Sequence, residues 1–296
     1  MILFQGAATA LVTPFRDGKV DFDALGELIE WQIEEGIDAL VSCGTTGEAS
    51  TLSDKEQREV VAFTVKKANG RVPVIAGSGS NDTRHAAELA ESLEDAGADG
   101  LLVVTPYYNK CSESGMIRHY ETIADSVSIP MILYSVAGRT GVHITPKVVS
   151  ELAQHPHICG IKEASGNIAQ VVEIARFLSE DFAMYSGNDE STVPLMSVGA
   201  LGVITTTGNV IPKDMHQMTQ AWLRGNVKEA CRMQLSMKPL IDAMFCEVNP
   251  IPVKAALNIM GKIQREYRLP LCDPSNQSLF RIMCALRDYG IIRESL

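Results

Sequence analysis

No two cysteines stand at C-x-x-C spacing, and the seven present (Cys43, Cys111, Cys159, Cys231, Cys246, Cys272 and Cys284) make an odd number. A disulfide framework is thereby disfavoured, and a reducing cytoplasm fits. There is no Lys/Arg cluster and no basic tail; the formal net charge is −10, from 26 Lys+Arg against 36 Asp+Glu. Nucleic-acid binding, which depends on cations meeting phosphates, is not expected. A small anionic substrate remains open if a positive pocket sits within the negative surface. No apolar run reaches the roughly 18 residues of a membrane span, so no membrane association is expected. The opening Met1-Ile2-Leu3-Phe4-Gln5-Gly6 has no basic stretch of the kind that begins a secretory leader. The histidines (His85, His119, His143, His155, His157 and His216) form no H-E-x-x-H pattern, and no ligand spacing argues for a metal. No G-x-S-x-G elbow occurs. Gly77-Ser78-Gly79 fails the dinucleotide fingerprint, because Asp82 stands where its third glycine would be.

What is present is enough apolar material for a large core: 46% of 296 residues are hydrophobic, and no staple is needed. Short apolar runs recur at 6–12, 38–42, 73–77, 100–104, 130–134, 158–162, 183–186 and 201–205. Most are apolar almost throughout, as parallel strands covered on both faces should be. Helix starts lie between them. Ser53-Asp54-Lys55-Glu56 reads as a capping box, Asn81-Asp82 as a cap, and Thr145-Pro146 as a cap followed by proline in the first turn. Glu35-Gly36-Ile37-Asp38-Ala39-Leu40-Val41 is echoed by Ala96-Gly97-Ala98-Asp99-Gly100-Leu101-Leu102, and more loosely by Val198-Gly199-Ala200-Leu201-Gly202-Val203. In each, a glycine closes a helix before a buried strand. Eight such units predict a (β/α)8 TIM barrel.

From about residue 212 onward the pattern reads as helices only, with breaks expected at Gly225, Pro239, Pro250, Pro252 and between Pro270 and Pro274. One helix completes the barrel, giving an expected barrel of residues 1–225. Residues 226–296 are expected to form a C-terminal helical subdomain packed on it, a common place for subunit contacts.

Active sites of such barrels lie at the C-terminal ends of the strands. That rule selects Gly44-Thr45-Thr46-Gly47-Glu48, Thr105-Pro106-Tyr107-Tyr108-Asn109, Tyr134, Lys162-Glu163 and Ser186-Gly187-Asn188. Lys162 is the most informative. At the closed mouth of a barrel an amine is poorly hydrated, which disfavours its charged form. A neutral amine can attack a ketone to give an iminium. An isolated strand-end lysine more commonly reaches to solvent, so the neighbours carry the argument. Tyr134 ends the adjacent strand, and its hydroxyl could move protons within a hydrogen-bonded chain; the bland reading is a lining aromatic. The turn at 44–48 offers backbone N–H groups and two hydroxyls suited to a carboxylate, and no Gly-Lys-Ser/Thr makes it a P-loop. Arg139 follows in the strand-five loop and could hold a second carboxylate bidentately, unless it is a plain solvated loop arginine. Cys43 has no motif partner and reads as a small buried residue. His155-Pro156-His157 reads as a surface turn.

The chain resembles the dihydrodipicolinate synthase (4-hydroxy-tetrahydrodipicolinate synthase) family, within the N-acetylneuraminate lyase superfamily. The matching segments are Ala10-Leu11-Val12-Thr13-Pro14-Phe15, Gly44-Thr45-Thr46-Gly47-Glu48, Val104-Thr105-Pro106-Tyr107-Tyr108-Asn109, Ile132-Leu133-Tyr134, Gly138-Arg139-Thr140-Gly141, Gly160-Ile161-Lys162-Glu163-Ala164 and Asn249-Pro250-Ile251-Pro252-Val253-Lys254. The resemblance implies a lyase of lysine and diaminopimelate biosynthesis that condenses pyruvate with L-aspartate 4-semialdehyde through a Schiff base on Lys162, with no dissociable cofactor and no metal. It implies that Thr45, Tyr108 and Tyr134 form a proton relay, with Tyr108 entering a neighbouring subunit's site. Thr45 and Thr46 would hold the pyruvate carboxylate, Gly187 and the backbone of Ile204 would line its pocket, and Arg139 would bind the semialdehyde carboxylate. A homotetramer built from tight dimers is implied as well.

Two segments depart from the family pattern. Ser135-Val136-Ala137 stands where members usually have Asn-Val-Pro, which bears on aldehyde specificity. The positions matching the family's inhibitory lysine pocket are Ala49, Asp54, Gln57, Asn81, His85 and Tyr107, and His85 replaces an acidic residue. Weak or absent lysine feedback is therefore expected. Two rival readings share these residues: another pyruvate aldolase, such as an N-acetylneuraminate or 2-keto-3-deoxy sugar acid lyase, and a non-catalytic pyruvate-binding barrel.

Overall fold

The computed structural model describes residues 2–293. Met1 and residues 294–296, the outer ends of the two expected segments, lie outside the described residues. Eight parallel strands close into a barrel: β1 (Gly6–Ala10), β2 (Ala39–Ser42), β3 (Val74–Gly77), β4 (Gly100–Val104), β5 (Met131–Ser135), β6 (Ile158–Glu163), β7 (Ala183–Ser186) and β8 (Gly202–Thr205), each paired with its sequence neighbours and β8 with β1. Each lies within two residues of an apolar run in the sequence. The helices α1 (Phe22–Glu34), α2 (Asp54–Ala68), α3 (Thr83–Asp95), α4 (Glu113–Asp125), α5 (Pro146–Leu152), α6 (Ile168–Ala175), α7 (Thr192–Met196) and α8 (Pro212–Leu223) follow the strands in turn. Three more, α9 (Val227–Met244), α10 (Ile251–Ile259) and α11 (Asn276–Asp288), complete the chain, and a one-turn helix, Ala137–Thr140, follows β5 where the sequence suggested only a loop around Arg139. Among the described residues no helix is long and apolar enough to cross a membrane.

The strands are apolar throughout because both faces are covered. Ala8, Val41, Ile75, Leu102, Ile132, Cys159, Tyr185 and Ile204 fill the inside of the barrel. Leu40, Val74, Leu101, Val103, Leu133, Ile161, Met184 and Val203 belong to the larger cluster shared with the helices. The capping signals act as expected. Ser53 and Glu56 form a reciprocal capping box on α2, Asp82 accepts the N–H of Arg84 at the start of α3, and Thr145 caps α5 ahead of Pro146.

Three further features were not foreseen. Residues Phe15–Arg16 and Lys19–Val20 pair as a small antiparallel ribbon between β1 and α1. Pro239 does not break the chain: α9 runs through it. An interior proline costs a helix about 3 kcal/mol. The same helix buries Met233, Met237, Leu240, Ile241 and Met244, each contributing roughly 1.5–3 kcal/mol, so packing wins. Pro239 also lies on the exposed side, where water can meet the carbonyl it orphans.

The third feature is a register shift in β6. Met131 of β5 pairs with Ile158, but Ile132 pairs with Gly160, leaving Cys159 as an extra residue. Such a bulge re-aims the side chains beyond it. Cys159 faces the barrel interior and Ile161 the helices. Simple alternation from Cys159 would have sent Lys162 outward. With the extra residue Lys162 stands in register with Tyr134, an interior residue of β5.

The seam that closes the barrel requires a glycine. A Cβ on Gly202 would lie 1.7 Å from the carbonyl oxygen of Gly6, and its φ is +155°. Gly202→Ala is expected to lower the unfolding free energy by more than about 3 kcal/mol, or to leave no soluble folded protein. Urea denaturation followed by circular dichroism measures this; a midpoint equal to the parent's would refute it.

Candidate active site

The C-terminal ends of the strands gather the chemistry. Lys162 is 6% exposed. Its nitrogen lies 4.3 Å from the centroid of the Tyr134 ring, so it meets the face of the phenol. Gly187, on the loop after β7, makes room for the amine: a Cβ there would sit 3.1 Å from the Cε of Lys162 and 2.7 Å from Ala164. Glu163 faces the other way. Burial pushes its carboxyl above the usual range, and its Oε1 accepts the N–H of Ser165 at 2.6 Å. Ile204 is buried on β8 with its side chain in the interior cluster.

The turn after β2 supplies hydroxyls more than backbone donors. The N–H groups of Gly47, Glu48 and Ala49 are used on the carbonyls of Gly44 and Thr45. What the turn still offers are the side chains of Thr45 and Thr46. Thr46 is buried, with its Oγ1 3.2 Å from that of Thr206 and accepting a 3.0 Å hydrogen bond from Nδ2 of Asn249. Thr206 sits on a braced loop. Its neighbour Thr207 gives both its N–H and its hydroxyl to the buried carboxylate of Asp189, at 2.7 and 2.6 Å. Beside the turn, Cys43 is buried, and burial pushes its thiol up to about 12, which leaves it no thiolate for catalysis.

A cleft of about 470 Å³ opens at this end of the barrel. Thr45, Tyr134, Arg139 and Asn249 line it, and so do Ala49, Asp54, Gln57, His85 and Tyr107. Lys162, Thr46, Gly187 and Ile204 are not on its wall, although the ring against which Lys162 rests is. Asn81 is off the wall too; its carbonyl accepts Nδ2 of Asn109. His85 bridges Asp54, 3.0 Å away, and the hydroxyl of Ser80 at 3.2 Å. Arg139 donates to the backbone carbonyl of Asn249 at 3.0 Å. Tyr108 stands apart from all of these. It is 92% exposed, on a left-handed backbone with φ +71°, a conformation uncommon for a bulky residue outside functional or turn positions.

Sequence reasoning passed over an ion pair under this rim. Lys254 of α10 and Glu48 of the β2 turn meet at 2.6 Å with both side chains fully buried. Burial pushes the Lys254 ammonium below the usual lysine range, and the charge of Glu48 opposes that shift. The second oxygen of Glu48 accepts the N–H of Arg268 at 3.2 Å. Arg268 also donates to Thr51, Glu56 and Gly18. A usable signal existed: Lys254 is the only charge in the apolar stretch Ile251–Ile259, and a lone charge within a buried helix needs a partner. Asn249 had no such signal.

With this geometry in view, likeness to known proteins becomes informative. Residues 3–288 match the Dihydrodipicolinate synthetase family. A 4-hydroxy-tetrahydrodipicolinate synthase of Acetivibrio thermocellus is 51% identical over 290 residues, 98% of this chain and 99% of its own. One of Thermoanaerobacter sp. (strain X514) is 50% identical over 296 residues, the whole of both chains. Among solved structures, the chloride-inhibited dihydrodipicolinate synthase from Acinetobacter baumannii, complexed with pyruvate, has 44% identity and a TM-score of 0.95, covering 97% of this chain and 99% of that one.

Removing one member of a buried ion pair strands the other, whereas replacing both is often nearly neutral. Lys254→Met should therefore cost about 3–5 kcal/mol, and Glu48→Gln with Lys254→Met should recover most of that loss. Denaturant midpoints of the two variants test it; equal stabilities would sink the claim.

Proposed function

The chain belongs to the dihydrodipicolinate synthetase family, and on that footing we propose that it condenses pyruvate with L-aspartate 4-semialdehyde to 4-hydroxy-tetrahydrodipicolinate, through a Schiff base on Lys162. The observation that carries the assignment is the buried amine of Lys162 against the ring of Tyr134, in register on adjacent strands. The neutral amine, with its free lone pair, is the form that attacks a ketone. Its nitrogen adds to C2 of pyruvate and water leaves, giving an iminium. The iminium draws electrons from the neighbouring methyl group, which loses a proton to become an enamine. The enamine carbon adds to the aldehyde carbon of the second substrate. The amino group of that substrate then attacks the iminium carbon, closing the ring and releasing Lys162. Electrons and protons balance without an added oxidant or a dissociable cofactor, and no metal is invoked.

Thr45 and Thr46 are assigned to the pyruvate carboxylate, with Gly187 and the backbone of Ile204 lining its pocket and Arg139 holding the semialdehyde carboxylate. Thr45, Tyr134 and the partner subunit's Tyr108 are assigned to proton transfer. The exposure of Tyr108 supports the last of these, since that phenol is outside its own cleft. Ile168 and Val172, exposed on α6, leave that helix an apolar strip that a further subunit could cover; a homotetramer, a dimer of dimers, is the assembly proposed. Residues 226–296 are read as a subdomain that completes the rim through Asn249 and Lys254. Seven free cysteines support a cytoplasmic setting.

The same cleft carries the expected lysine-pocket positions Ala49, Asp54, Gln57, His85 and Tyr107 on its wall. His85 supplies no negative charge there and is already joined to Asp54. A lost charge-assisted hydrogen bond to an ammonium is worth roughly 1.5–3 kcal/mol. Millimolar lysine should leave the rate nearly unchanged, and strong inhibition at that concentration would refute this reading.

Borohydride reduction in the presence of pyruvate should add the mass of one reduced adduct to Lys162. Lys162→Ala should lose that adduct and at least about 10³-fold in rate. A Lys162→Ala protein with full activity would overturn the proposal. Turnover of sugar aldehydes in place of aspartate semialdehyde would replace the second substrate.

A further inference from the structure

We infer that Asn249 is a positioning residue for both substrate carboxylates, acting through Thr46 with its side chain and through Arg139 with its backbone. The inference rests on the Schiff-base reading above. Asn249 lies in the turn between α9 and α10, nearly buried at the rim of the cleft. It is a single residue that touches both groups assigned to the anionic ends of the two substrates. Nδ2 donates to Oγ1 of Thr46 at 3.0 Å, and the backbone carbonyl accepts from the Arg139 guanidinium at 3.0 Å.

The direction of the first bond matters. A hydroxyl has one proton and two lone pairs. Asn249 can only donate through Nδ2, so it fills one lone pair of Thr46. The other neighbour, the Thr206 hydroxyl at 3.2 Å, can act as donor or acceptor. When Thr206 donates, both lone pairs of Thr46 are filled and its proton is free for an anion. Asn249 thereby holds Thr46 ready as a donor, and the bracing of Thr207 by Asp189 keeps the Thr206 loop in reach. A donor fixed before substrate arrives needs no reorganisation when it binds. On the other side, the carbonyl of Asn249 accepts from the guanidinium of Arg139, an exposed residue of the short helix Ala137–Thr140 on the cleft wall. The two subsites are therefore linked through one residue supplied from outside the barrel.

The test compares Asn249→Asp and Asn249→Ala with the parent. Aspartate keeps the shape but reverses the polarity, so the Thr46 proton turns toward residue 249 and away from substrate. Asn249→Asp should raise the KM for pyruvate by about tenfold or more, and Asn249→Ala by several-fold, with kcat changed by less than about threefold. Asn249→Ala keeps the backbone carbonyl, so its KM for the semialdehyde should stay within about twofold. Because the effect runs through Thr46, Thr46→Val with Asn249→Ala should bind pyruvate no worse than Thr46→Val alone. An unchanged pyruvate KM in both single variants overturns the inference. So do fully additive losses in the double variant, or equal rises in both KM values together with a lowered melting temperature. If the parent itself yields no borohydride adduct with pyruvate, the Schiff-base reading fails first and takes this inference with it. That outcome is visible before any variant is made.

Discussion

An extra residue in the sixth barrel strand decides which way Lys162 points, and the chemistry assigned to this protein follows from that direction. The strands alternate between the packed interior and the helical layer, so a single-residue shift exchanges the two faces. The bulge at Cys159 makes that exchange. It brings the amine inside, in register with Tyr134, and sends the carboxyl of Glu163 outside. In the opposite phase, a carboxylate would occupy the mouth of the barrel and the amine would lie under the helices. Gly160 permits the irregular backbone, since a Cβ there would meet the carbonyl oxygen of Ala183 at 2.6 Å.

The rest of the rim is held from outside the barrel. The turn carrying Thr45 and Thr46 is tied to α10 through Glu48 and Lys254, and through Asn249 to the one-turn helix bearing Arg139. A fully buried ion pair is costly in desolvation and is often no better than apolar packing. Its use here is geometric. Glu48 sits on a left-handed backbone with φ +55°, and the directional pair fixes that conformation in a way that apolar contact would not. The C-terminal helices thus brace the candidate site as well as the core.

Much of this was legible in the chain. Eight apolar runs gave the eight strands within two residues, because parallel strands buried on both faces need continuous apolar sequence. Ser53, Asp82 and Thr145 marked helix starts through short-range chemistry. Gly36, Gly97 and Gly199 end helices with φ of +90°, +92° and +105°, as their shared pattern suggested. Pro239 misled, because a local rule met a buried stripe of methionine, leucine and isoleucine that outweighed it. Asn249 carried a motif match but no visible role, since its partners lie 203 and 110 residues away.

Residue types and their local periods were enough to determine a parallel α/β barrel and to nominate its strand ends, with Lys162 and Tyr134 among them. These depend on interactions between near neighbours in sequence, on strand alternation and on helix capping. Tertiary structure alone decided that Lys162 faces inward, that its nitrogen meets the face of a phenol, and that Glu48 finds Lys254. Each of those rests on register and on contacts between distant segments, which local pattern does not encode.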